Sequence, residues 1–473
     1  MTLIESQEVR VSRDSLGEVR VPAEAYWGAQ TQRAIENFPV SGLRFPRRFI
    51  RAQGLIKLAA ARANREVGML DAAVAQAIEA AAREVIDGKL DAHFPLDVYQ
   101  AGAGTSQNMN ANEVIANRAC EILGARRGET ARVHPNDMVN MAQSTNDTMH
   151  VVIQVAVAEA IVGDLLPALD ELEAVLAEKV QAFDAILKSG RTHLQDAVPI
   201  RLGQEFSGYL GAVRLSRKAL EASLDGLYQI GMGGTAVGTG LNADVRFGEL
   251  AVAAIAAETG LPFRLPESMF AFMQNLDAVV AASGGVRAVS VALAKLANDL
   301  RLLASGPRTG IDEVRLPAVQ PGSSIMPGKV NPVMAEMLNM VCYQVLGHDQ
   351  TVVAAAQGAQ LELNVMMPVM GYNALMAVVI LAGGTRAFTA RALRGLKANE
   401  SKCEWSIERS TAIVTALNPV LGYDRAASIA KQAFAEDRTV RAVLVEDKIL
   451  PEAEVRRLLD VRAMTEPGAR GGE

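Results

Sequence analysis

Leucine and valine recur at spacings of three and four over stretches far longer than an ordinary helix, and this pattern limits what the chain can become. Leu165, Leu169, Leu172, Leu176, Val180, Phe183 and Leu187 form one such stripe, which predicts six unbroken turns. Phe206, Leu210, Val213, Leu220, Leu224 and Leu227 form a second, with Arg217 in the one missing place. Val289, Leu293, Leu296, Leu300 and Leu303 make a third, Met334, Leu338, Val341 and Val345 a fourth, and a further apolar helix is expected from Tyr372 to Leu393. Such periods mark amphipathic helices, some of them roughly 30 residues and about 45 Å long. Long helices of matched length pack most readily side by side. No strand–helix alternation follows that would build an α/β sheet. The expected fold class is therefore all-α, with a central bundle of long helices. Minor β structure is expected only near the N-terminus, where EVRVSRD and EVRVPAE alternate among Gly17, Pro22 and Gly28.

The chain has 473 residues, and a single core rarely grows beyond roughly 250–300 residues. The composition turns more charged near Lys397-Ala398-Asn399. Three domains are expected: 1–144, mostly helical; 145–396, the long-helix bundle; and 397–473, a small helical unit. Half the residues are apolar and 4% aromatic. One bundle per subunit would leave wide Ala/Val/Met faces, so helix-on-helix oligomerisation is expected. The formal net charge of −6 argues against nucleic acid, whose phosphates need a basic face. Cys120, Cys342 and Cys403 are odd in number and far apart, which suits a reducing compartment. The five histidines show no metal-ligand spacing, so no metal and no cofactor are expected. The N-terminus lacks the apolar run of a secretory signal. The longest clean apolar stretch, Ala374 to Ala382, is short of the ~20 residues of a membrane span. A cytoplasmic protein with no membrane partner is the expectation.

Four polar, Gly-rich segments interrupt this aliphatic text: AGAGTSQNMNANE (Ala101–Glu113), HPNDMVNMAQSTND (His134–Asp147), GRTHLQD (Gly190–Asp196) and PGSSIMPGKVNP (Pro321–Pro332). One alone would be read as helix capping; four together call for another account. The last frames two hydroxyls, one Lys and one Asn with glycines and prolines. A loop of that kind offers backbone N–H groups and a fixed positive charge, as needed to hold a carboxylate.

With these segments in view, the chain resembles the fumarase/aspartase superfamily of lyases. The family's signature GSSxMPxKxNP is matched by Gly322, Ser323, Ser324, Met326, Pro327, Lys329, Asn331 and Pro332, and the other blocks follow in the family's order. The resemblance implies a three-domain helical subunit, a homotetramer whose active sites draw on three subunits, and a small dicarboxylate substrate. The implied reaction is anti β-elimination to give fumarate through an aci-carboxylate. By that resemblance Ser323 is the catalytic base, acting as an alkoxide. Lys329 and Asn331 hold the carboxylate that takes up charge, while Thr105, Ser144, Thr145 and Ser324 bind the other. Asn146, Thr192 and His193 lie near the leaving group, and Glu336 partners His193. Ser106 and Met326 complete the implied binding set.

Within the family, AGAGTSxNMNxNE, QDAVPIRLGQEF and QLELNVMMPV look like the aspartase form, so L-aspartate losing ammonia is the expected activity. Class II fumarase, with L-malate losing water, is the alternative, and HPND is the wording usual there; a C–N lyase for another N-substituted aspartate is a third. The run Thr148-Met149-His150 replaces the usual aromatic-Pro-Thr, and Met367 stands where aspartases tend to have an acid. Gly231-Met232-Gly233-Gly234-Thr235-Ala236 matches a loose dinucleotide fingerprint but follows a helix, so it is read as a turn.

Overall fold

The computed structural model describes residues 8–468. It is all-α apart from short hairpins. Strands β1 (Val9–Asp14) and β2 (Gly17–Pro22) pair antiparallel, as the alternating N-terminal text predicts. The helices that matter for the site are α1 (Arg47–Glu66), α2 (Thr105–Ile122), α3 (Thr145–Ala160) and α4 (Leu166–Ala182), with a π-turn at Ile161–Leu165 between the last two. After the hairpin β3 (Leu187–Thr192) and β4 (Gln195–Arg201) come α5 (Leu202–Leu227), α6 (Asp277–Leu303), the short β5 (Val314–Arg315), α7 (Val333–Ala356), α8 (Met367–Phe388) and β6 (Lys397–Ala398), which pairs with β5.

The chain forms two compact units. One gathers the residues up to Pro167 with Arg217–Ser290 and Tyr343–Ala382; the other gathers Ala168–Ser216, Val291–Cys342 and the residues from Gly383 onward. In the first, α1 buries Phe49, Leu55, Ile56 and Leu58 against its neighbours, and the middle of α3 is buried almost all round. In the second, Leu169, Leu172, Leu176, Phe206, Val213, Leu293, Leu296, Leu300 and Leu338 are almost fully buried, so the predicted stripes are core faces. Each large aliphatic side chain so buried contributes about 1.5–3 kcal/mol. The C-terminal helices close around a cluster of their own that includes Leu417, Ile429, Val443, Leu444 and Leu458.

Two expectations are corrected here. The first stripe does not run to Leu187: the helix ends at Ala182, and Leu187 opens β3. The β3–β4 hairpin escaped the sequence reading because its turn, His193-Leu194, carries none of the usual Gly, Asn or Asp turn signals. The second concerns apolar length. The continuous helical run Thr145–Ala182, together with Asp277–Leu303 and Met367–Leu393, is long and apolar enough to cross a membrane by length and composition. Half to two-thirds of each apolar window is buried within the subunit. Helices that are aliphatic on most faces reach the hydropathy of a span whether their surroundings are protein or lipid, and a count of uninterrupted apolar residues overlooked that.

Candidate active site

The sequence-predicted residues fall into two sets. Thr105, Ser106, Ser144, Thr145 and Asn146 belong to the first unit; Thr192, His193, Ser323, Ser324, Met326, Lys329, Asn331 and Glu336 belong to the second.

In the first unit, two helix N-termini carry the hydroxyls. Thr105 opens α2 directly after Gly104, whose φ of +82° is left-handed. A side chain there would meet Met149, since an added Cβ would lie 2.6 Å from its Cε. Met149 thus props the turn that presents Thr105 and Ser106. Ser144 caps α3 in a reciprocal capping box, its hydroxyl accepting from the Asn146 N–H while its own N–H donates to Asp147 Oδ1 at 2.8 Å. The other oxygen of Asp147 accepts from the N–H groups of Gly233 (3.1 Å) and Thr235 (3.0 Å), and Asn146 Nδ2 donates to the Ala236 carbonyl. The Gly231–Ala236 segment is therefore a turn that anchors the start of α3.

Beneath this edge lies a polar network in an otherwise aliphatic core. Asn108 Nδ2 donates to Thr145 Oγ1 at 3.1 Å and to Asn140 Oδ1 at 3.2 Å. Asn140 Oδ1 also accepts from Asn112 Nδ2 (3.2 Å) and from the Lys57 ammonium (2.9 Å), which reaches Gln143 Oε1 at 2.8 Å as well. Lys57 is fully buried, and burial pulls it down to about 7 despite the opposing charge of Asp147. Burial likewise pushes Asp147 up to about 7, against its three backbone hydrogen bonds and Lys57. Thr148, Met149 and His150 are buried too. His150 is held neutral, its pKa lowered to about 4 by burial, and Nε2 has no partner among the described residues. The unusual Thr148-Met149-His150 run supports the site from below.

In the second unit, Thr192 and Gln195 pair across a two-residue hairpin turn in which His193 and Leu194 have φ of +57° and +60°. Residues other than Gly, Asn or Asp rarely hold this conformation, and it sets Thr192 and His193 on an exposed tip. Strand β3 is clamped behind it. Arg191 forms a two-pronged ion pair with Glu313 (2.8 and 3.0 Å), and buried Lys188 bridges Glu313 (2.7 Å) and Glu205 (2.8 Å).

The signature segment folds into a closed loop. The Gly322 N–H donates to the Lys329 carbonyl, and Asn331 Nδ2 donates to the Gly322 carbonyl. Inside it, Ser323 Oγ accepts from two backbone N–H groups, Ile325 at 3.2 Å and Met326 at 2.9 Å. Ile325, Met326 and Lys329 project outward, Ile325 being 83% exposed. Lys329, Asn331 and Glu336 line one cavity of about 640 Å³ with Arg301 and Asn298 of α6. Among the described residues no hydrogen bond joins His193 to Glu336 within the subunit.

Gly322 is required where it stands, because an added Cβ would lie 2.3 Å from the Lys329 carbonyl oxygen and 2.8 Å from the Asn331 nitrogen, both backbone. Gly322→Ala should lower turnover about tenfold or more, the scale of a 1–3 kcal/mol overpacking strain. Initial rates beside a thermal melt would check this: the melting temperature should move little, since the loop is exposed.

Comparison with known proteins spans nearly the whole chain. A family model described as Lyase matches residues 17–347, and one described as Fumarase C C-terminus matches residues 413–466. The chain is 52% identical over 468 residues to fumarate hydratase class II of Halobacterium salinarum, covering 99% of each. It is 45% identical over 467 residues to aspartate ammonia-lyase of Bacillus subtilis, covering 99% of this chain and 98% of the other. The crystal structure of class II fumarase from Schistosoma mansoni superposes with a TM-score of 0.94 at 38% identity, over 98% of this chain and 100% of the other. The chain belongs to the fumarase/aspartase superfamily.

For a member of the fumarase/aspartase superfamily, sequence reasoning left out Lys57, Asn108, Asn112, Asn140, Gln143 and Asp147. A signal was present: Lys57 is a lone charge inside GLIKLAAA, where an aliphatic helix has no other use for one. Arg301 was also passed over, as one more charge on a long helix.

Proposed function

We propose that this lyase interconverts a 2-substituted succinate and fumarate by anti elimination, with Ser323 as base and water as the leaving group: a class II fumarase activity. The observation that carries the reaction type is the pair of backbone N–H groups on Ser323 Oγ. A serine hydroxyl is a feeble base, and donors already aimed at its oxygen lower the cost of the alkoxide. The alkoxide takes the proton from the carbon beside one carboxylate, and the electron pair moves into that carboxylate. Lys329 and Asn331 meet the resulting dianion, and Ser144, Thr145, Thr105 and Ser324 hold the second carboxylate, with Ser106 and Met326 beside them. As the pair returns to form the double bond, the C–O bond breaks and the departing hydroxide takes a proton from His193. Imidazole is the side chain that by nature exchanges protons near neutrality. Asn146 and Thr192 orient the leaving group, and Glu336 of another subunit orients His193.

Water as leaving group is supported by the 52% identity to a fumarate hydratase against 45% to an aspartate ammonia-lyase. Ammonia is the second reading, favoured by the aspartase-like wording of Ala101–Glu113 and Gln360–Val369. Purified protein is to be mixed separately with L-malate and L-aspartate while the ultraviolet absorbance of fumarate's conjugated double bond is followed. A rise with malate alone is expected. A rise with aspartate alone makes the enzyme an ammonia-lyase, and silence with both overturns malate and aspartate as substrates and leaves an N-substituted aspartate or no elimination at all.

The active enzyme we propose is a cytoplasmic homotetramer of subunits divided at 144/145 and 396/397. It is supported by apolar side chains left outward on the long helices, among them Leu215 (72% exposed), Met340 (68%) and Val291 (56%). Three free, buried thiols suit a reducing compartment.

A further inference from the structure

A buried ammonium with no ion pair asks for an explanation, because an isolated charge in a protein interior is costly unless something offsets it. Lys57 is 2% exposed, yet its hydrogen bonds run to two neutral amide oxygens, those of Asn140 and Gln143. No carboxylate lies within ion-pair distance among the described residues. Other charges on the same helix are satisfied elsewhere: Arg62 and Arg65 bind Glu79, and Arg62 shares Glu258 with Arg83. Among the described residues, helix α2 turns the amides of Asn108 and Asn112 toward the network, and α3 brings one charged group, Asp147. Asp147 spends both its oxygens on backbone N–H groups.

The same network runs to the candidate site. Asn140 Oδ1 joins Lys57 to Asn108, and Asn108 occupies the acceptor side of Thr145 Oγ1. The Thr145 proton is thereby left to be donated outward. We infer that Lys57 is a positioning residue whose ammonium is the buried counter-charge for the substrate carboxylate bound at Ser144–Thr145–Asn146, so that binding a dicarboxylate draws a proton onto Lys57. This rests on the anion-binding role proposed above for that segment.

The sign follows directly. In the free protein burial holds Lys57 near neutrality, at about 7. An arriving anion favours the charged form, so binding takes up a proton at and above that pH, and affinity falls as pH rises through it.

The test is calorimetric titration of the intact protein with fumarate near pH 7.5 in buffers of different ionisation enthalpy, with kinetics on Lys57→Met. The wild type should take up a fraction of a proton per fumarate bound. Lys57→Met should lose that uptake and raise KM for fumarate about tenfold, the scale of losing one buried counter-charge at the effective dielectric of a protein. Its kcat should change far less. Uptake that persists in Lys57→Met assigns the proton to another group, Asp147 or His193 among them, and overturns the inference, as does an unchanged KM. If the variant does not fold, the wild-type titration decides, and binding without uptake overturns it. A wild type that turns over malate but shows no uptake defeats this inference alone; one that neither binds nor produces fumarate defeats the proposed function with it.

Discussion

Ser323→Ala is expected to reduce turnover by about 10³-fold or more while leaving melting temperature and oligomeric size unchanged. The two parts of that expectation have separate grounds. The Ser323 hydroxyl accepts from the Ile325 and Met326 N–H groups, both bonds lying in an exposed stretch of loop. Removing it costs two local turn hydrogen bonds in an exposed loop, about 1 kcal/mol each at most. Catalytically the loss is of another order, because a positioned base contributes typically 10²–10⁴-fold and the N–H donors that would stabilise its anion are left with nothing to act on. Steady-state rates and size-exclusion chromatography would decide it. A variant with near-normal turnover removes Ser323 as the base, and one that falls apart shows the loop to be structural.

The second large effect is on stability. Glu313 is fully buried between Arg191 and Lys188, and the second charge partner of Lys188 is Glu205. Glu313→Gln leaves two cations facing one carboxylate in the interior, and breaking a buried pair in this way costs about 3–5 kcal/mol. Urea unfolding of wild type and variant should show a gap of that size at neutral pH. The pH dependence has a definite sign. Burial alone would raise the Glu313 pKa, but the hydrogen bonds and charge of Arg191 and Lys188 outweigh it and hold it below the usual glutamate range. A carboxylate depressed in the folded state adds stability above its unfolded pKa and loses it as pH falls through the folded value. The gap should therefore be full at pH 7 and shrink in acid. A gap constant down to the acid limit would show that packing, not charge, sets it. The clamp also bears on chemistry, since β3 ends at Thr192 and His193, so activity should fall before global unfolding does.

The fold was legible wherever physics is periodic. Leu169, Leu172 and Leu176 announce a buried helix face because each turn must hide the same side, and the stripes of α5 and α6 did the same. What escaped was structure fixed by tertiary context. The left-handed pair His193-Leu194 is held by its hairpin and by ion pairs from residues more than a hundred positions away. For the site, the hydroxyls and the Lys were visible because polar groups stand out against aliphatic text. The amides beneath them, Asn108 and Asn140, looked like more of the same polar block, and only their hydrogen bonds separate a floor from a surface. Glu336, four residues beyond the signature, shares a cavity with Lys329 and Asn331, which the helical run that follows the loop brings about. Among the described residues no hydrogen bond joins it to His193 within the subunit.

The amide of Asn108 biases the Thr145 hydroxyl toward giving its proton rather than accepting another. With one of its two lone pairs engaged from below, its proton is the part left to turn outward, toward an incoming atom that has electrons to share. The oxygens of an acid satisfy it, whereas an amide nitrogen brings hydrogen to meet hydrogen. The floor thus tilts the choice toward an acid rather than forbidding a neutral amide, whose carbonyl oxygen the same proton can meet.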